Sequence, residues 1–276
     1  MHENYPLQPG GVEDYPIKIG TALFTMVDPN KGFENAYNRW YERDHFYAGC
    51  MIGPGQFAGK RWVATRELKD LRFPADSPMA SPLDAGSYLA TYWHLREWTE
   101  EDEAWGGTQV WWLYSNGRGF AERTHAHTAT YHYESSVYDE PDPVPVELAL
   151  DAGYQGLGVV VIEPAEGVSH DELRTWLEEE AAPTLLGGGV KTISSWATVI
   201  VERPEGWEAP MSLGTEGGAP DRVLQMCFLD TDPRQVWDRF HAYAEVIDAG
   251  GKGKVSFAAP FFATKPGTDT YVDEIW

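Results

Sequence analysis

Eight histidines are the residues of this sequence best suited to chemistry near neutral pH, and six of them precede residue 133. An unperturbed imidazole titrates near about pH 6.5, so it can take up a proton in one step and release it in the next. Tyr88, Ala90, Tyr92, His94 and Arg96 alternate onto one face of a strand-like run, placing aromatic rings, donors and a titratable imidazole together. That mixture suits the wall of a small-molecule cavity. Leu89, Thr91, Trp93 and Leu95 take the other face, which is expected to lie against helices. His45 follows Asp44 at the end of a helical stretch. His125 and His127, two apart in a strand, are expected on the same side and could supply two metal ligands; no third ligand has diagnostic spacing, so no metal is expected. Cys50 and Cys227 have no second Cys or His at metal spacing, and neither reads as a nucleophile.

The elements that must hold these groups emerge from an internal comparison. A shift of 136 residues lays the glycine-led apolar run 20–27 on 156–163, and Trp40 on Trp176. A shift of 134 lays Trp62 on Trp196 and Leu95 on Leu229, with 33 residues between the markers in both halves. Apolar residues at Phe33, Tyr37 and Trp40 predict a helix over about 32–47; Ser169 is a good N-cap for the equivalent helix with Leu173 and Trp176. Helical stretches over 100–120 and 233–249 each precede a last strand, at 126–134 and 254–264. Each half therefore reads β-α-β-β-α-β, an α+β, ferredoxin-like unit with helices on one sheet face. The expected division is an arm at 1–16, a first unit at 17–138, an acidic Pro-rich linker at 139–151, a second unit at 152–265 and a tail at 266–276. Long Pro/Gly-rich loops at 73–86 and 204–220 occupy equivalent places.

The 134-residue shift also sets Phe228 opposite His94 and Met226 opposite Tyr92, so the chemistry is expected in the first half, in a polar cavity bounded by the first helix and third strand. A formal charge of −22, from 43 acidic against 21 basic residues, repels a phosphate backbone and excludes nucleic acid as a partner. The first nineteen residues have no signal-peptide pattern, and no apolar run is long enough to span a bilayer. A cytoplasmic protein with no membrane partner is expected, and a homodimer is allowed.

The segment 40–45, Trp-Tyr-Glu-Arg-Asp-His, followed by 53–62, Gly-Pro-Gly-Gln-Phe-Ala-Gly-Lys-Arg-Trp, resembles the dimeric α/β-barrel superfamily and, within it, the EthD-like branch. The resemblance implies two ferredoxin-like sheets facing each other as a barrel, here from one chain. It also carries the helix-end histidine of that branch onto His45 and its acidic neighbour onto Asp44. The second copy departs from the pattern, with Glu180-Ala181 in their place. Members brought to mind include cofactor-free polyketide cyclases and dehydratases, lactone isomerases, cofactor-independent quinone-forming monooxygenases and haem-binding peroxidase-like enzymes. The expected function is a cofactor-independent lyase, cyclase or isomerase that abstracts a proton beside the carbonyl of a small aromatic or polyketide-like compound. His45 or His94 would be the base, with Tyr92 and Arg61 stabilising the enolate and Tyr41, Trp62, His127 and Tyr131 contacting substrate. Two alternatives stay open: an accessory protein that binds a hydrophobic metabolite, and a haem enzyme with His241 as axial ligand.

Overall fold

A computed structural model describes residues 17–199 and 211–276. The expected arm at 1–16, and the 204–210 part of the second long loop, lie outside the described residues. Eight strands form one closed antiparallel barrel: β1 (Ile19–Pro29), β2 (Gln56–Val63), β3 (Tyr88–Leu95), β4 (Arg123–Tyr138), β5 (Gly156–Pro164), β6 (Val190–Thr198), β7 (Val223–Leu229) and β8 (Gly253–Ala263). Their order around it is β1-β3-β2-β8-β5-β7-β6-β4. Each half supplies a contiguous ferredoxin-like sheet, β4-β1-β3-β2 and β8-β5-β7-β6. The α+β class and the two-sheet barrel are thus those expected.

Two seams close the barrel. β4 runs well beyond the expected 126–134 because its first part pairs with β1 and its second, from Tyr131 to Tyr138, crosses to β6. The other seam is short, Trp62 and Val63 against Ala263 and Phe262.

The helices follow local chemistry. α1 (Glu34–Trp40) widens into π-helical turns over Tyr41–Met51, so the first helix runs longer than its apolar spacing predicts. α2 (Arg66–Asp70) is a short helix after β2, and α3 (Thr99–Ser115) spans the first half's sheet. In the second half α4 (His170–Trp176) starts at Ser169, whose side chain forms a complete capping box with Glu172. It too widens, over Leu177–Ala181, before α5 (Ala182–Leu185). Trp40 and Trp176 each stand at that widening. Trp40 Nε1 donates to the Arg118 carbonyl beyond α3, and Trp176 fills the space a side chain at Gly250 would need, at the end of α6 (Pro233–Gly250). Among the described residues no helix is long and apolar enough to cross a membrane.

The two faces of β3 lie opposite to expectation. Trp93 points into the barrel, with its ring 5.9 Å from Trp196 and 6.0 Å from Phe228. Tyr88 and Tyr92 point under the helices, against Tyr37 and Phe46. Barrel closure buries both faces of the sheet, so the larger apolar rings fill the barrel and the polar set meets the helices. The internal alignment also slips by one residue on this strand. Leu224, Met226 and Phe228 belong to the barrel core as Trp93 does, so by face Cys227 answers Tyr92 and Leu229 answers His94. A one-residue slip exchanges the faces of a strand.

The segments at either end of the second unit are part of the core. Val146, Ala149 and Leu150 of the expected linker are buried. In the tail, Tyr271 stacks on Phe262, Arg39 pairs with Asp269, and Asn38 donates to the Thr268 carbonyl.

Replacing Trp196 by Ala should cost about 3–5 kcal/mol by emptying the barrel, whereas Trp111→Ala, on the exposed face of α3, should stay within about 0.5 kcal/mol. Urea unfolding of both variants checks this; equal costs would refute an aromatic-filled barrel.

Candidate functional site

A cavity of about 880 Å³ lies under the helices of the first half. Its floor is the outer face of β1, β3 and β4, including Leu23, Thr25, His94 and Thr130; Tyr41, His45, Gly49 and Cys50 come from the π-helical turns. α3 contributes Asp102, Trp105, Gly106, Gly107 and Val110, and the segment from Met211 to Arg222 closes one end from the second half. The cavity therefore falls between first helix and third strand, with a wall from the other half added. Two consecutive glycines inside a helix cost it about 1 kcal/mol each. Here a Cβ at either would meet nothing within 4 Å, so they leave the α3 wall open.

His94 is 3% exposed and is held from one side only. Its Nδ1 is 3.0 Å from Thr21 Oγ1 and 3.3 Å from Asp102 Oδ2, while Gln56 Nε2 donates to Asp102 Oδ1 at 2.9 Å. Nε2 of His94 is buried without a hydrogen-bond partner among the described residues. In the tautomer with the proton on Nδ1, facing Thr21 Oγ1 and the Asp102 carboxylate, the lone pair resides on Nε2, the arrangement of an oriented general base. Burial pushes the His94 pKa down to about 4, so the ring is neutral at pH 7. A carboxylate 3.3 Å from Nδ1 favours the imidazolium once a proton arrives.

His45 is 9% exposed, borders the same cavity and stacks on Trp40 with ring centroids 4.5 Å apart. Gly49, one turn on, is required here: a Cβ would lie 2.6 Å from the His45 ring. Burial, with Arg123, His125 and Arg61 adding to it, pushes the His45 pKa down to about 3. Asp44 turns away and pairs with Arg118.

The expectation that His125 and His127 share a side is corrected by a bulge in β4 between their partners Val27 and Met26. His125 stays on the cavity face, its Nδ1 2.7 Å from Thr128 Oγ1. His127 turns toward the barrel mouth, where its Nε2 is 2.9 Å from the Tyr131 hydroxyl and its Nδ1 2.8 Å from the Thr215 carbonyl. Burial pushes them to about 3 and about 4 respectively. Among the described residues no group of three or more His, Cys, Asp or Glu is placed to hold a metal ion.

Other expected site residues stand behind the cavity wall. Tyr92 is fully buried and its hydroxyl meets that of Tyr41 at 2.8 Å; Tyr41 is the one that borders the cavity. Arg61 does not reach it: the guanidinium lies 4.5 Å over the Tyr41 ring, donates to Asn38 and pairs with Glu42. A buried cation needs such partners, and satisfying them turns Arg61 from the ligand space. Trp62 fills the barrel, and Tyr131 reaches the cavity wall only through His127 and Arg222. His241, weighed as a haem ligand, is on the outside of α6, stacked on Phe73 at 4.2 Å and away from the cavity.

Asp102, Gln56 and Arg123 border the cavity but are not singled out by the sequence. Asp102 lies in an acidic run at 100–103 where nothing marks one carboxylate for burial. The one available signal is its helical spacing from Trp98 and Trp105.

No protein-family model matches the chain, and no curated protein matches it. Solved structures do. An anthrone oxidase-like protein aligns with TM-score 0.51 at 10% identity over 90% of this chain and 92% of its own. A candidate chlorite dismutase aligns with TM-score 0.51 at 10% identity over 93% and 99%. These likenesses establish the fold, a dimeric α/β barrel built in a single chain. A DypB variant from Rhodococcus jostii RHA1 in complex with heme also matches, at TM-score 0.48 and 12% identity over 93% and 96%. The expectation of a protein without a cofactor is corrected by the cavity itself, where among the described residues an imidazole nitrogen has no partner on a ring whose other nitrogen faces a carboxylate; a heme-bound and a heme-binding chain are also among the matches.

The four cavity imidazoles bind protons near pH 3–4 when folded, against an ordinary value of 6.5. The unfolded chain thus holds more protons between those values, and stability should fall as pH drops from about 6.5 toward 4. His170, raised by Glu134, acts in the opposite direction but alone. Thermal unfolding between pH 7 and 5 should show a falling midpoint that flattens in His125→Asn; a pH-independent midpoint would contradict neutral burial.

Proposed function

We propose that the chain is an enzyme that abstracts a proton beside the carbonyl of a small aromatic or polyketide-like compound, with His94 as base. The observation that carries this is the Gln56–Asp102–His94 arrangement, in which His94 Nε2 has no partner among the described residues at the wall of a cavity that Tyr41 and Trp105 also line. The C–H bond breaks, its proton goes to Nε2, and its electron pair moves to the carbonyl oxygen as an enolate. Asp102 stabilises the imidazolium formed. The donor for the enolate oxygen is the Tyr41 hydroxyl, with Tyr92 behind it; burial raises both phenol pKa values and keeps their protons on. Resemblance to the EthD-like branch and the fold shared with an anthrone oxidase-like protein support a polycyclic aromatic ketone as first substrate to test.

With anthrone-type ketones, loss of the benzylic proton should be measurable by deuterium exchange. His94→Gln should lower the rate by roughly 10²–10⁴-fold, Asp102→Asn by less, and His45→Gln least. A larger loss in His45→Gln transfers the base to His45. Binding without exchange in wild type assigns the chain to accessory ligand-binding proteins.

A second reading has its own support. An imidazole that gives its other N–H to a carboxylate is the form in which histidine ligates metals, so His94 would hold a haem iron, with Arg123 and Arg222 bordering the same cavity. Haem would supply redox chemistry there. Titration of the purified chain with hemin should then give a saturable Soret band that His94→Gln abolishes; an unchanged free-hemin spectrum rejects this reading.

A further inference from the structure

The cavity contains a cation that has no counterion among the described residues, in a chain that carries an excess of 22 negative charges. Among the described residues Arg123 meets no carboxylate. Its Nη2 donates to the Tyr114 hydroxyl at 2.9 Å, its guanidinium lies 4.8 Å over the Trp40 ring, and its Nε is buried with no partner. Two positions on, His125 shares its face of β4, since the bulge that reverses the parity comes only after His125. His125 Nδ1 is engaged by Thr128, and its Nε2 is buried with no partner.

Two adjacent, unsatisfied nitrogen groups on one strand face are costly in an empty protein, and a charge-assisted pair of hydrogen bonds relieves both. The cavity's carboxylates do not serve. Asp102 is bound by Gln56 and faces His94, and Glu216 is exposed. Arg222 also has a buried Nε without a partner among the described residues, but both of its terminal nitrogens are engaged, by the carbonyls of Glu216, Gly218 and Ala219 and by Tyr131. Burial is the main cause that holds the pKa of His45 and His125 down, and the nearby Arg123 guanidinium adds to it for both.

We propose that Arg123 and His125 form an anion subsite, and that the cavity takes an aromatic compound bearing a carboxylate, docked on these two residues while its rings lie along Tyr41 and Trp105. The proposal rests on this cavity being the substrate site, and it narrows the substrate class from aromatic carbonyl compounds to aromatic acids. A planar guanidinium matches a carboxylate in a way a neutral amide does not reproduce. In the tautomer that keeps its proton on Nε2, His125 donates the second bond.

The test compares 1-naphthoate with 1-naphthamide, isosteric and differing in charge, by calorimetric titration of the full chain. Naphthoate should bind at least tenfold more tightly. Arg123→Gln should abolish the preference, Arg123→Lys should retain part of it, and His125→Gln should reduce it several-fold. His94→Gln should leave it intact, since the base is outside the subsite. Equal affinity for acid and amide, failure of both to bind wild type at millimolar concentration, or a preference that survives Arg123→Gln would each overturn the subsite. If Arg123→Gln does not fold, the His125→Gln and Arg123→Lys variants decide. Acid preference without any proton exchange sinks the His94 mechanism and leaves the subsite standing.

Discussion

Closure of two four-stranded sheets into one barrel is the constraint on which the rest depends. Closure removes the sheet edges and buries both faces of every strand, so each strand must be filled on the inside and covered on the outside. The inside is taken by Trp62, Trp93, Trp196 and Phe228, whose ring centroids lie about 6 Å apart. Rings of that size leave the barrel no ligand space. Ligand space therefore appears where the outer coverage is incomplete, beneath α3 and the π-helical turns of the first half. In the second half Val160, Ile162, Cys227 and Leu229 pack against α4 and α6 as a continuous apolar layer. The cavity and its polar lining are thus a local failure of packing, kept open by Gly106 and Gly107 and lined by groups that a closed layer would exclude.

The same burial sets the electrostatics. Imidazoles removed from water lose the hydration of their charged form, and burial lowers the pKa of four of them, three on the cavity face and His127 toward the barrel mouth. They differ in what the protein gives them. Among the described residues His94 has Thr21 and a carboxylate on one nitrogen and no partner on the other, His127 is bonded at both nitrogens, His125 at one, and His45 is held mainly by stacking. A nitrogen left without a partner is destabilising, and such groups persist where a ligand completes them. Among the described residues His94, His125 and Arg123 have that character at the cavity; Arg61 also keeps Nη2 without a partner, but behind the cavity wall, and His127 is bonded at both nitrogens.

Strand spacing, helix periodicity and the Ser169 cap made the element order and the two-sheet plan legible, because alternation and 3.6-residue periodicity are local properties. His45 and His94 both border the cavity, though His45 lies inside the π-helical turns and does not end the helix as its spacing suggests. The lengths of β4 and the first helix were not legible, since the extra residues of β4 pair only with the other half, and the π-helical turns answer to packing around Trp40 and His45. The relay on His94 was hidden as well. Asp102 comes eight residues later, in an acidic run, and reaches His94 only because the chain reverses through a tight turn at Arg96–Trp98.

What the amino-acid sequence determined by itself is the alternation of each strand, the position of its helices and the set of side chains able to move a proton. What only the tertiary structure decided is direction. Which face of β3 looks into the barrel, which side of the β4 bulge His127 falls on, and whether Arg61 or Arg123 meets the ligand space all depend on closure and on a single inserted residue. A one-residue change of register exchanges every side chain between barrel and cavity, and the free energy that selects the register comes from rings and strands remote in sequence.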